Sequence, residues 1–328
     1  LPVFFLLITL FLGSLAQATA AEIVTSNYPL QYFTERIAGE GFEVVLPVPG
    51  DIDPAYWAPK VEQIVALQQA DLVILNGAGY EKWAKKISLP RSKVVVSAKS
   101  LKARFIYSEE IATHSHGGSK EHAHENLAFT TWLDFDLAAE QAGVIATALG
   151  RKWPEQKEQF AQNLAALQLD LRSLDSELKA LSAKQPNKAF IGSHPVYEYL
   201  ASRYQLNLKA VHWEPEQVPD AKMLRELQSM NGAHGAVWMI WEGQPDAKSI
   251  AKLDQIGMRS LVFEPCANRP EEGDFLSLMK QNVQNQVLHC SSGKSASLRD
   301  NSPAGKEALN NRRPTSSFTV NPRVGCRV

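Results

Sequence analysis

Cysteine is scarce. Three occur in 328 residues, Cys266, Cys290 and Cys326, too few for a disulfide framework. Cys266 and Cys290 bracket an expected helix over 274–287 that carries the chain about 20 Å. A disulfide needs Cα atoms within about 7 Å, so no pairing is expected. Excess charge is missing too. With 34 basic against 35 acidic residues, nothing favours a nucleic-acid partner. G-x-S-x-G, H-E-x-x-H and a phosphate loop are absent. Ser193 and His194 are sequence neighbours, which prevents a Ser–His relay, so an enzyme is not expected. The longest apolar stretch, residues 3–12, is ten residues interrupted only by Thr9, about half of a membrane span.

That stretch, followed by Ala16, Ala18, Ala20 and Ala21, has the h-region and Ala-x-Ala cleavage sites of a secretory signal peptide over 1–21. The mature chain is then expected to begin near Ala21 or Glu22 and to be exported to a bacterial periplasm. No cysteine stands at the cleavage site to carry a lipid.

Glycine is absent from 154–184, and after Pro154 proline is absent until Pro186. Leu164, Leu167, Leu171, Leu174, Leu178 and Leu181 follow one another at spacings of 3, 4, 3, 4 and 3, a single apolar seam on a helix. Pro154 suits the first turn. The spacing predicts one rigid helix of about 43–45 Å, longer than a small domain is wide. The seam is short for a coiled coil, so the helix is expected to link two lobes, with a cleft between them.

Both flanks alternate strand and helix, which implies α/β lobes with mostly parallel sheets. The first covers 22–150, with strands expected at 23–25, 42–48, 71–76 and 93–97 and helices at 30–38, 61–69 and 136–149. The linking helix covers 151–185. The second lobe covers 186–290, with strands expected at 188–192, 208–213, 236–241 and 261–263 and helices at 195–203, 221–230, 247–255 and 274–287. Residues 291–328 are Ser/Asn/Pro/Arg-rich and read as a disordered tail.

Each second-lobe strand ends in a polar group, in order His194, Glu214, Glu242 and Glu264, where open α/β sheets bind ligands. His194 with Glu264 supplies half of a tetrahedral metal site. Cys266 reads first as a small buried hydrophobe and second as a thiolate ligand. The 114–125 loop concentrates four of the chain's eight histidines, His114, His116, His122 and His124, beside Glu121 and Glu125. Imidazoles and carboxylates in this density suit Zn²⁺, Cu²⁺ or Ni²⁺. Trp57 and Trp132 read as core residues, with a cleft wall as the second reading.

These features together resemble the periplasmic zinc/manganese-binding proteins of ABC importers, the solute-binding cluster with two α/β lobes joined by one long helix. The resemblance runs over about residues 22–286. Gly50-Asp51-Ile52-Asp53-Pro54-Ala55-Tyr56-Trp57-Ala58-Pro59 stands at the family's Asp-Pro-His-x-Tyr-x-Pro loop. Thr130-Thr131-Trp132-Leu133-Asp134 stands at His-x-Trp-Leu-Asp. Phe190-Ile191-Gly192-Ser193-His194 matches the third ligand strand, and Phe263-Glu264-Pro265 the last. The histidine loop sits where zinc-specific members carry theirs. Two family ligand positions are occupied by Ala55 and Thr130, neither an imidazole. Replacement ligands are expected among Glu214, Glu216, Glu242, Cys266 and the histidine loop.

The resemblance implies a monomeric periplasmic protein that captures Zn²⁺, with Mn²⁺ or another divalent ion as the alternative, and passes it to an ABC transporter permease. Two other readings stay open. One keeps the fold for a chelated metal or small organic ligand held against Trp57 and Trp132. The other is a periplasmic metal buffer or chaperone acting through the histidine loop.

Overall fold

The computed structural model describes residues 21–107 and 127–291. The first lobe contains β1 (Ala21–Thr25), α1 (Tyr28–Ala38), β2 (Phe42–Val45), α2 (Val61–Gln69), β3 (Leu72–Leu75), β4 (Val94–Val96) and α3 (Phe135–Lys152). A long helix, α4 (Lys157–Ser182), follows. The second lobe contains β5 (Ala189–Gly192), α5 (Glu198–Tyr204), β6 (Asn207–Ala210), α6 (Ala221–His234), β7 (Trp238–Trp241), α7 (Ala247–Gln255), β8 (Arg259–Val262) and α8 (Phe275–Ser291).

The two sheets have one design. The first runs β2-β1-β3-β4 and the second β6-β5-β7-β8, every pair parallel. Their registers also match, with Thr25 opposite Ile74 in the first lobe and Gly192 opposite Ile240 in the second. In each sheet the chain leaves the first strand to one side and later returns on the other. That makes a topological switch point between β1 and β3 and another between β5 and β7. The central strands are continuous apolar runs, Leu72–Leu75 and Trp238–Trp241, because helices cover both faces of such sheets.

The expected long helix is present as α4, beginning three residues after Pro154, and it forms a hairpin with α3. Asp134 caps α3 by accepting from the amides of Asp136 and Leu137 at 3.0 and 3.1 Å. α3 ends at Lys152, a 3₁₀ turn spans Pro154–Gln156, and α4 starts at Lys157. The helix therefore doubles back along α3, with Gln168 Nε2 donating to Ala139 O at 3.0 Å. Its leucine seam faces inward: Leu167, Leu171, Leu174 and Leu178 are buried, and the end residues Leu164 and Leu181 are half-buried. Each buried leucine contributes about 1.5–3 kcal/mol from apolar burial. α4 packs on α1 and α3 of the first lobe and on α5 and α8 of the second.

The lobes are tied at several points. Asp175 of α4 receives both Arg203 Nε and Nη2 at 2.9 Å and the Tyr204 hydroxyl at 3.1 Å, while Lys179 pairs with it at 3.0 Å. Arg203 also reaches Asp134 of the first lobe at 3.5 Å. Trp132 Nε1 donates to Pro265 O at 2.8 Å, the Tyr28 amide to Ala267 O at 2.9 Å, and the Thr130 hydroxyl to Val196 O at 2.7 Å. One hydrophobic core runs through both lobes, from Ile23 and Phe33 to Phe263 and Met279.

Candidate metal-binding site

The second lobe builds its site at the switch point. β5 ends at Gly192, where a Cβ would stand 3.2 Å from both His194 O and the Tyr197 ring. A larger residue there would press on both neighbours. The Ser193 amide still pairs, donating to Ile240 O at 2.7 Å, and Ser193 O accepts from the Trp213 amide at 2.7 Å. The helix expected from Pro195 begins at Glu198 instead, because residues 193–197 form a turn closed by Val196 N donating to His194 O at 3.0 Å. Tyr197 anchors that turn through its hydroxyl to Phe263 O at 2.9 Å. Glu214 follows the second strand and Glu242 directly follows β7. Their loops are joined where the Asp246 amide donates to Pro215 O at 2.9 Å.

His194, Glu214 and Glu242 converge here. One ligand atom from each lies within 4.8 Å of the others. His194 Nδ1 is 3.7 Å from a carboxylate oxygen of Glu214 and 3.7 Å from one of Glu242. These are too long for hydrogen bonds, yet close to the roughly 3.4 Å between ligand atoms on one tetrahedral zinc. The His194 ring meets His212 edge-on, with centroids 5.6 Å apart.

The charge balance is unusual. Burial raises Glu242 to about 8, and the nearby carboxylates of Glu214, Asp53 and Glu216 push in the same direction. Asp53 is raised as well, first by its crowded surroundings. The Ala55 amide and the charge of His194 oppose that rise, and Glu214 adds to it. Asp53 is nevertheless exposed. Tyr56, 68% exposed, feels the same three acids, Asp53, Glu214 and Glu242. A cleft lined this way accommodates a cation, whose charge offsets the mutual repulsion.

Of the other residues singled out in the sequence, Glu264 lies outside this group. Its backbone N–H and C=O are paired with the Asn282 side chain at 3.2 and 2.8 Å, and its carboxyl is raised by burial and by Glu271. Cys266 is a buried free thiol at φ 63°. Burial pushes its ionisation far up, so the thiolate a metal needs is disfavoured. Ala55 is buried, and Thr130 uses its hydroxyl in the tie between lobes. Trp57 packs edge-on against Trp83 and Trp132 against Tyr80, each at 5.6 Å, both inside the core. His114, His116, His122 and His124 lie outside the described residues. The chain leaves at Tyr107 and returns at Leu127, and these two form an antiparallel bridge.

Two residues near the group were not picked out from the sequence, Asp53 and His212. Asp53 sat in a loop marked for its prolines, and nothing local linked it to His194, 141 positions away in the chain. Only the facing of the lobes links them.

Comparison with known proteins comes last. Residues 23–287 match the family described as ZnuA, zinc-uptake complex component A, periplasmic. Among curated relatives, the chain is 27% identical over 279 residues to the zinc-binding lipoprotein AdcA of Streptococcus pneumoniae, covering 80% of this chain and 54% of that one. It is also 27% identical over 271 residues to the high-affinity zinc uptake system protein ZnuA of Bacillus subtilis, covering 80% and 85%. The chain thus spans about half the length of the AdcA relatives it matches. Among solved structures, a crystal structure of ZnuA superposes at TM-score 0.64 with 27% identity, covering 82% of this chain and 98% of that one. The metal-dependent lipoprotein YcdH of Bacillus subtilis superposes at 0.70 with 23% identity, covering 83% and 99%, a likeness of fold.

Proposed function

This chain belongs to the periplasmic zinc-uptake component A family, and from that premise we propose that it is a solute-binding protein capturing a divalent metal ion, zinc foremost, between its lobes for a membrane ABC importer. One observation carries the reading: His194, Glu214 and Glu242 converge at the second lobe's switch point with ligand-like spacing. An imidazole and two carboxylates are a donor set that zinc accepts. The many ties between lobes argue for release by small local movements rather than wide opening. A ligand stacked on Trp57 and Trp132 is disfavoured, since both are core residues. The histidine loop at 114–125 serves in this proposal as an accessory collector of ions.

The test is a zinc titration of the full chain against a competing chelator. The expected result is one tight site, lost in His194→Ala and in Glu242→Gln and kept when residues 114–124 are deleted. Binding that survives both substitutions and vanishes with the loop would replace this reading with that of a buffer acting through the loop.

A further inference from the structure

Outside the site described above, we propose that the free edge of β4 docks an extended acidic segment of a protein partner, which adds to the first sheet as a further strand.

β4 is an edge strand, with β3 on one side and no strand on the other. Lys93 O accepts from the Val73 amide and Ser97 N donates to Leu75 O, both at 2.8 Å. Backbone direction alternates along a strand. Lys93, Val95 and Ser97 therefore serve β3, and the N–H and C=O groups of Val94 and Val96 point to the free side. Open space adjoins the strand. A groove of about 370 Å³ lies over Val94 and Lys99 beside Ile87 and Leu89, and one of about 770 Å³ runs from Val94 and Val96 to Val144 and Ala148 of α3. Right-handed crossovers put the β3–β4 connection on the face opposite α1, whereas α3 packs on α1. The two grooves thus flank the edge on opposite faces of the sheet. Successive side chains of an added strand would enter them alternately, and half-buried apolar side chains meet both sets.

Charge selects the partner. Residues 82–104 hold eight basic residues and no acidic one, in a chain that is balanced as a whole. Lys85, Lys86, Arg91, Lys99 and Lys102 are exposed, as is Arg151 on the wall of the larger groove, and none of them has an ion pair among the described residues. Glu140, the carboxylate lining that groove, is already held by Arg104. Such a surface attracts an acidic chain. It also decides against a second copy, whose own β4 would bring the same charge. Lysine near an edge strand commonly guards it against pairing. Here Val94, Val95 and Val96 pair with β3 in unbroken register and carry no charge, bulge or proline, so the flanking lysines turn away only partners of like charge.

The probe is the fluorescein-labelled peptide Glu-Asp-Val-Thr-Val-Thr-Glu-Asp, titrated against the full chain by fluorescence anisotropy. One control peptide has lysine for each acid, and another is N-methylated along its Val-Thr-Val-Thr centre. The acidic peptide should bind about tenfold tighter than either control, and more weakly as salt rises. Val94→Pro removes one outward N–H at a position where an edge strand tolerates proline, and should weaken peptide binding about tenfold with zinc affinity kept. Should that variant fail to fold, Lys99→Glu combined with Arg151→Glu takes its place with the same expectation. Equal affinity for the acidic and N-methylated peptides, or no binding of the acidic peptide, overturns the proposal. Binding to phosphatidylglycerol vesicles but not to the peptide replaces it with a lipid surface, and a dimer broken by Val94→Pro replaces it with a second copy.

Discussion

Ser26 and Ser193 occupy the same place in two sheets. Each follows the first strand of its lobe, and each donates its amide to the neighbouring central strand, to Ile74 O at 3.1 Å and Ile240 O at 2.7 Å. Two residues beyond those acceptors stand Asn76 and Glu242. From there the lobes part. In the first, Glu81 folds back into the switch point and is buried. Its carboxylate accepts from the Ser26 hydroxyl at 2.5 Å and from the amides of Asn76 and Gly77 at 2.6 and 3.0 Å. Gly77, at φ 83°, permits the turn that aims its amide there. Among the described residues of the second lobe, no carboxylate hydrogen-bonds the Ser193 hydroxyl in this way. The Ser193 hydroxyl is buried without a hydrogen-bond acceptor among the described residues, and Glu242 faces other acids. The same architecture is closed by its own anion in one lobe and left with surplus negative charge in the other. On the proposed reading, a cation completes the second lobe as Glu81 completes the first.

Substitutions can sharpen or break that comparison. The largest effect is expected from Glu81→Ala. It strands a buried hydroxyl and two amides, each worth about 1–3 kcal/mol when unpaired, so unfolding in urea should show a loss of about 3–5 kcal/mol. A loss below 1 kcal/mol would mean that water fills the gap and that the first lobe is not closed by Glu81.

Glu242→Gln should have the opposite sign in the zinc-free protein. A carboxyl whose folded pKa is raised, here to about 8 against an ordinary 4.5, favours the folded state at low pH. That contribution is lost as pH rises through about 8. The parent should therefore melt at a lower temperature at pH 9 than at pH 6, zinc should reverse the drop, and Glu242→Gln should flatten it. Equal pH dependence in parent and variant would remove Glu242 as the strained acid. The smallest contrast lies between the serines. Ser26→Ala should cost about 1–2 kcal/mol through its charged partner, and Ser193→Ala close to nothing. Equal costs would show that the Ser193 hydroxyl has a partner of its own.

Much of this architecture was legible in the chain. The expected helices at 61–69 and 247–255 agree with α2 and α7 at both ends, because apolar positions recur with helical period between clear breakers. The leucine seam identified the buried face of α4. The turn at Pro154–Gln156 was not anticipated, since a proline suits a helix start and a tight reversal equally well. At the site, Glu214, Glu242 and Glu264 looked alike along the chain, each a carboxylate after a strand. Strand order separates them. β6 and β7 flank β5, which brings Glu214 and Glu242 to His194, whereas β8 lies at the sheet edge, and the Glu264 carboxyl feels Glu271 instead.

Sequence by itself determined the alternation of strands and helices, the long apolar seam, the polar residues at strand ends and the family. All of these are carried by local periodicity and short motifs. Tertiary structure alone decided which carboxylates face one another and which lobe supplies its own anion, and it brought Asp53 into the field of His194. Those outcomes depend on distances between residues far apart in the chain, fixed by strand order and by the packing of two lobes against one helix.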